Sequence, residues 1–316
     1  MRAMRTGFSI RGLAPSSCIA LTLVWSRDAS AHGGDVGELW STGAAWTSDL
    51  RVLIPLYASA LLFLLGTLRL WRRAGYGRGV RRWQVACFWS GWTVLALALL
   101  SPLHWLGERL FTAHMIEHEL MMAVAAPLLV LARPWGTMLW ALPVSWRVPI
   151  GGTIRHAWLS GGWRLASGPF AATLAHAVAL WAWHMPGLYD LVLVNPLAHW
   201  LQHLSFLASA LLFWGALLRG PARRRGYGVA FVYLFLTSLH TGLLGVLLTV
   251  SPRLWYPGQV AAAGEWGLTP LEDQQLAGLV MWVPAGLVYT IAALVLAGLW
   301  IRHSGPLRAR QAYATT

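Results

Sequence analysis

The chain contains no lysine and almost no cysteine. All 24 of its basic residues are arginine, and Cys18 and Cys87 are its only thiols in 316 residues. With no CxxC or CxxxC spacing, a disulfide framework and a thiolate metal site are both excluded. Any metal must be held by histidine, methionine or carboxylate. Charge is scarce too, at 11% of residues, where a soluble domain carries about 25%. With 57% hydrophobic residues and a mean hydropathy of +0.55, the composition is that of a polytopic membrane protein. A formal charge of +13 would suggest nucleic acid in a soluble chain. Here the arginines lie between apolar runs, where they set orientation, and no nucleic-acid partner is expected. No nucleophile–base arrangement or phosphate loop stands out, so no enzymatic activity is expected.

What is present is a series of apolar segments. Seven of them, at roughly 50–70, 84–104, 113–132, 170–188, 199–218, 227–250 and 276–301, approach the ~20 residues needed to cross the hydrocarbon. They predict an all-α bundle of about seven spans. Ahead of them, Arg2, Arg5 and Arg11 precede a short apolar run from Leu13 to Trp25, and Ala29-Ser30-Ala31 fits an A-x-A cleavage site. Residues 1–31 therefore read as a cleaved signal peptide. A periplasmic segment, 32–49, a transmembrane domain, 50–303, and a cytoplasmic tail, 304–316, follow.

The links fix the expected orientation. Arg72, Arg73, Arg78, Arg81 and Arg82 follow the first span, and Arg133, Arg147, Arg155 and Arg164 the third. Arg219, Arg223, Arg224 and Arg225 follow the fifth, and Arg302, Arg308 and Arg310 lie in the tail. The alternate links hold only Arg109 and Arg253. The positive-inside rule places the N-terminus outside and the C-terminus in the cytoplasm, in a bacterial inner membrane with lipid as the surrounding partner. The link at 133–169, rich in Trp, Pro and Gly, is expected to ride the interface.

In this topology eight of the eleven histidines fall on the outer side: His32, His104, His114, His118, His184, His199, His203 and, deeper, His240. Intramembrane ionisable groups are costly and ask for a partner or a task. Imidazole is the commonest protein ligand for transition metals. His114-x3-His118 and His199-x3-His203 each open a span from outside, and residues four apart share a helix face. Either pair can also be an interfacial or hydrogen-bonded structural feature. Trp183-His184-Met185-Pro186 closes the fourth span, offering an imidazole and a thioether suited to copper. Glu272-Asp273-Gln274-Gln275 leads into the seventh, where Asp273 can cap the helix. If cleavage follows Ala31, His32 adds an α-amine to its own imidazole as a copper chelate. His104, after Pro102, reads as peripheral. His176 and His240 are structural histidines or inner stations of a path.

These stretches carry a resemblance. His114-Met115-Ile116-Glu117-His118 through Pro127-Leu128-Leu129 to Arg133-Pro134 is similar to the CtaG family of cytochrome c oxidase assembly factors. So are Trp183-His184-Met185-Pro186 with Leu188-Tyr189-Asp190, His199 through His203-Leu204-Ser205-Phe206 to Phe213-Trp214, and Leu271 through Gln275 to Gly278, Met281-Trp282 and Pro284. The family meant is the polytopic one, not the single-span copper chaperone of the same name, whose cysteine ligands this chain lacks. The resemblance implies a multi-pass protein that matures a haem–copper oxidase, with an oxidase subunit as partner and a periplasmic copper donor as a second. The ligands expected for copper are His114, His118, His184, His199 and His203, with Met115, Met185, Asp273 and His32 as further candidates. Three alternatives stay open: a haem-binding membrane protein, a copper transporter and a metal-free scaffold.

Overall fold

The computed structural model describes residues 49–219, 227–259 and 262–314, without the side chains of 154–155, 157–160 and 303–314. The expected signal peptide and His32 lie outside the described residues. Among those described, all regular structure is helical. Six helices are long and apolar enough to cross a membrane, and a bent pair supplies a seventh crossing if counted as one span. The all-α, multi-pass expectation is borne out.

In chain order, α1 (Leu50–Ala74) and α2 (Arg82–Leu100) are followed by the short α3 (Pro102–Gly107). The third span consists of α4 (Phe111–Glu119), a π-helical turn (Leu120–Ala125) and α5 (Ala126–Ala132). Three short helices fill the next link: α6 (Pro134–Leu139), α7 (Val144–Arg155) and α8 (Ala157–Ala166). Then come α9 (Pro169–Trp183), α10 (Pro186–Val194), α11 (Pro196–Leu218), α12 (Tyr227–Val250) and α13 (Pro270–Ala314).

Three departures from the expected spans share one cause, proline. The second span was expected to reach residue 104, but α2 stops at Leu100 and the chain restarts in a new helix at Pro102. Proline disfavours helical geometry in the residue before it, and Ser101 is extended at φ −78°, ψ 171°. The fourth span was expected to run to about 188, with Pro186 closing its helix. Met185, before Pro186, is extended, but the chain resumes as α10, which meets α9 at 73°. In the third span Pro127 has no N–H to give, and the π turn ahead of it closes with Ala126 N donating to Met121 O. The Met122 carbonyl in this turn accepts from Trp214 Nε1 at 3.0 Å, tying α11 to the third span.

The helix starts are capped as their sequences suggest. Asp49 accepts from Arg51 N at 2.8 Å at the head of α1. Asn195 accepts from Leu197 N and Ala198 N, ahead of Pro196, at the head of α11. Thr269 and Glu272 form a reciprocal pair at the head of α13, a capping box. Helices α12 and α13 cross at glycine: a Cβ on Gly245 would lie 2.8 Å from Gly278 O, and one on Gly278 2.6 Å from Gly245 O. Small residues at a crossing let backbones approach, the usual device where lipid replaces water.

Candidate metal centre

The site begins with the cap on α4. Asp273 was expected to cap its own helix, but Thr269 and Glu272 do so instead. Its carboxylate reaches across to α4 and accepts from Phe111 N at 2.7 Å and Thr112 N at 2.9 Å. Thr112 Oγ1 donates back to Asp273 O at 3.0 Å. A buried helix start with unpaired N–H groups is costly, and Asp273, fully buried, supplies the acceptors. The rest of the acidic–amide run is structural as well. Gln274 accepts from Trp255 N and donates to Arg253 O, and Gln275 donates to Ser251 O. The run thereby stitches the 251–255 segment to the head of α13.

So fixed, α4 presents His114 and His118 on one face. Their rings lie 4.2 Å apart between centroids. From α11, His199 and His203 face them: His118 and His203 are 5.1 Å apart, His114 and His199 5.6 Å. Nε2 of His199 and Nε2 of His203 are 3.2 Å apart. From α3 comes His104, stacked on His199 at 5.4 Å. Sequence reasoning had placed His104 at the periphery. The break at Ser101-Pro102 turns it inward, and Gly107 lets α3 lie against α4, since a Cβ there would meet His114 Cα and Glu117 Oε2, each at 3.2 Å.

Glu117 is the second residue the sequence reading left out of the site. It is wholly buried. One oxygen lies 2.8 Å from His104 Nδ1 and 3.5 Å from His203 Nδ1. Burial disfavours a charged His104. The hydrogen bond and charge of Glu117, with the charges of Glu108 and Asp49, outweigh that and hold its pKa above the ordinary histidine value. Geometrically, a carboxylate on Nδ1 leaves Nε2 of each ring free for another partner.

Among the described residues, two groups of three histidines have ligand nitrogens within 4.8 Å of one another: His104, His199 and His203, and His114, His118 and His203. Buried polar atoms normally find partners. Here Nε2 of His114 and both ring nitrogens of His118 have none among the described residues. Imidazoles with free lone pairs at this separation are the donor set a transition metal takes, so the residues fit a bound metal ion. Beside them, at the head of α4, Phe111, Tyr189 and Tyr256 form an aromatic cluster, with centroids 4.4 to 5.3 Å apart.

The other expected ligands are placed differently. His184 belongs to neither group. Its Nδ1 is 2.7 Å from Leu180 O and must donate to it, which leaves Nε2 as an acceptor, buried and without a partner. Met115 is buried in the core, while Met185 is 60% exposed at the α9–α10 break. Deeper in the bundle, His176 pairs with Ser209 at 3.1 Å and stacks on Phe213. His240 accepts from Trp181 Nε1.

A model of the cytochrome c oxidase caa3 assembly factor family (Caa3_CtaG) matches residues 61–303. The chain belongs to this family. No curated protein and no solved structure matches it. As a caa3-type assembly factor, the protein serves cytochrome c oxidase, and an oxidase subunit is its implied partner. The match spans the whole histidine centre.

Proposed function

We propose that this assembly factor takes up copper at the histidine centre and passes it to the oxidase subunit it helps mature, without catalysing a reaction of its own. The observation that carries the reading is the convergence of five histidines from α3, α4 and α11, with buried nitrogens that lack partners among the described residues. Imidazole alone does not choose among copper, zinc, iron and nickel. The choice of copper rests on the client, a haem–copper enzyme. The arginine pattern of the links supports a centre opening to the periplasmic side of the bacterial inner membrane, where copper would arrive from a donor. The haem reading needs axial ligands. His176 and His240, the deep candidates, hold Ser209 and Trp181 through Nδ1, while Nε2 of each has no partner among the described residues; the copper reading is favoured because the histidines of the centre outnumber the axial ligands one haem takes.

The test is elemental metal content and an absorbance spectrum of detergent-purified protein, prepared copper-replete under reducing conditions. Wild type is compared with His114→Ala/His118→Ala. Near-stoichiometric copper on the wild type, falling at least fivefold on purification of the variant, is the expected result. No copper on the wild type would overturn the reading in favour of a scaffold, and a bis-histidine haem band would overturn it in favour of haem.

A further inference from the structure

Five imidazoles exceed what one ion needs, since three or four donors complete a copper or zinc site. They are also unequally exposed. In the group His104, His199 and His203, the His104 side chain is 19% open to the surface and His199 is half-buried. In the group His114, His118 and His203, His114 and His118 are 2% and 1% exposed. His203 belongs to both groups.

We propose that the centre is two metal stations that share His203, an open outer triad and a buried inner triad, between which one Cu(I) ion moves without leaving the protein. The proposal rests on the copper reading and deepens it. With Glu117 on the Nδ1 side of His203, Nε2 is the ligand atom, and it lies 3.2 Å from Nε2 of His199. His114 borders both stations, with centroids 5.6 Å from His199, 6.0 Å from His203 and 4.2 Å from His118. An ion on the outer triad can gain a bond from His114 and lose one to His104, then gain His118 and lose His199. Each exchange forms one Cu–N bond and breaks one. No electron moves, and the oxidation state is unchanged. The partnerless nitrogens of His114 and His118 are the receiving donors. Glu117, on His104 and His203, acts as a positioning residue for the shared pivot.

The experiment compares wild type, His104→Ala/His199→Ala and His114→Ala/His118→Ala, each purified in detergent and loaded with Cu(I). Two quantities are read: copper retained per chain after gel filtration, and the rate at which the water-soluble chelator bathocuproine disulfonate removes it. The outer variant is expected to retain copper near the wild-type level and to release it at least tenfold more slowly. The inner variant is expected to retain at least fivefold less, and to release what remains at least as fast as wild type. Equal retention and equal release rates in the two variants would mean one undivided site and overturn the two stations while leaving copper binding intact. A wild type that binds no copper would overturn both readings at once. His104→Gln/His199→Gln repeats the outer arm should the alanine variant fail to fold, with the same expected slowing of release.

Discussion

The helices that carry the histidine pairs and the helices that begin the bundle are nearly alike as sequences. The third span and α11 have a mean hydropathy of 1.6 each, and α1 and α2 have 1.8 and 1.5. Their surroundings differ. The best apolar window of the third span is 56% buried and that of α11 50%, against 22% for α1 and α2. Hydropathy thus marks what can enter a membrane but does not separate a central helix from a peripheral one. The polar residues do: the central pair carries His114, Glu117, His118, Gln202 and His203, all buried. Polar groups in a span belong in the bundle interior, and here they gather on the two helices that meet there.

This contrast can be broken at several points. The largest effect is expected from His203→Ala, which removes a ligand from both triads. Copper retained after gel filtration should fall to about a tenth of wild type or less, given the 10–100-fold typical even of lost outer-shell support. Glu117→Gln keeps an acceptor for His104 but removes the charge, and should weaken Cu(I) affinity by about 10–100-fold in a chelator competition titration. A change below threefold would mean Glu117 is only packing.

Asp273→Ala removes the cross-helix cap of α4 and should cost about 1–2 kcal/mol, read as a lower melting temperature with less bound copper. Asp273→Asn keeps one acceptor and should recover part of both. Asp49→Ala removes the equivalent cap from α1, a peripheral helix start that reaches the centre only through the charge of Asp49 on His104. It should lower copper content far less than Asp273→Ala does. If it lowers copper as much as Asp273→Ala does, the distinction between central and peripheral helices fails. The smallest effect is expected from Met185→Ala and from Leu61→Ala on α1. Both residues are exposed, so each change should shift stability by no more than about 0.5 kcal/mol and leave copper retention as it is.

The number and order of spans were legible because ~20-residue apolar runs are long-range averages that a single proline hardly alters. The breaks were not. Pro186 was visible as a helix end, but that the chain resumes at once as α10 depends on packing against α11. The helix pairs were legible too, since His114 and His118, or His199 and His203, need only the helical repeat to share a face. His104 was set aside because its apolar segment reads straight through Ser101-Pro102, and nothing local says that α3 folds back onto Gly107. Glu117 lies within the His114–His118 motif, but its contacts come from α3 and α11 and are not local. The same holds for Asp273. Its own helix start offered an obvious use for the carboxylate, and only the structure brings Phe111 and Thr112 to it, 162 and 161 residues away in the sequence. Spacing within a helix is local information, whereas ligand sets and caps shared between helices are tertiary.

The central claim is that the ion sits among imidazoles on α3, α4 and α11. X-ray absorption spectroscopy of the Cu(I)-loaded, purified protein tests it most directly. A first shell of nitrogen alone, with the outer-shell scattering of imidazole rings, is the predicted result. A sulfur neighbour in the first shell would put the ion on a methionine or cysteine and contradict it.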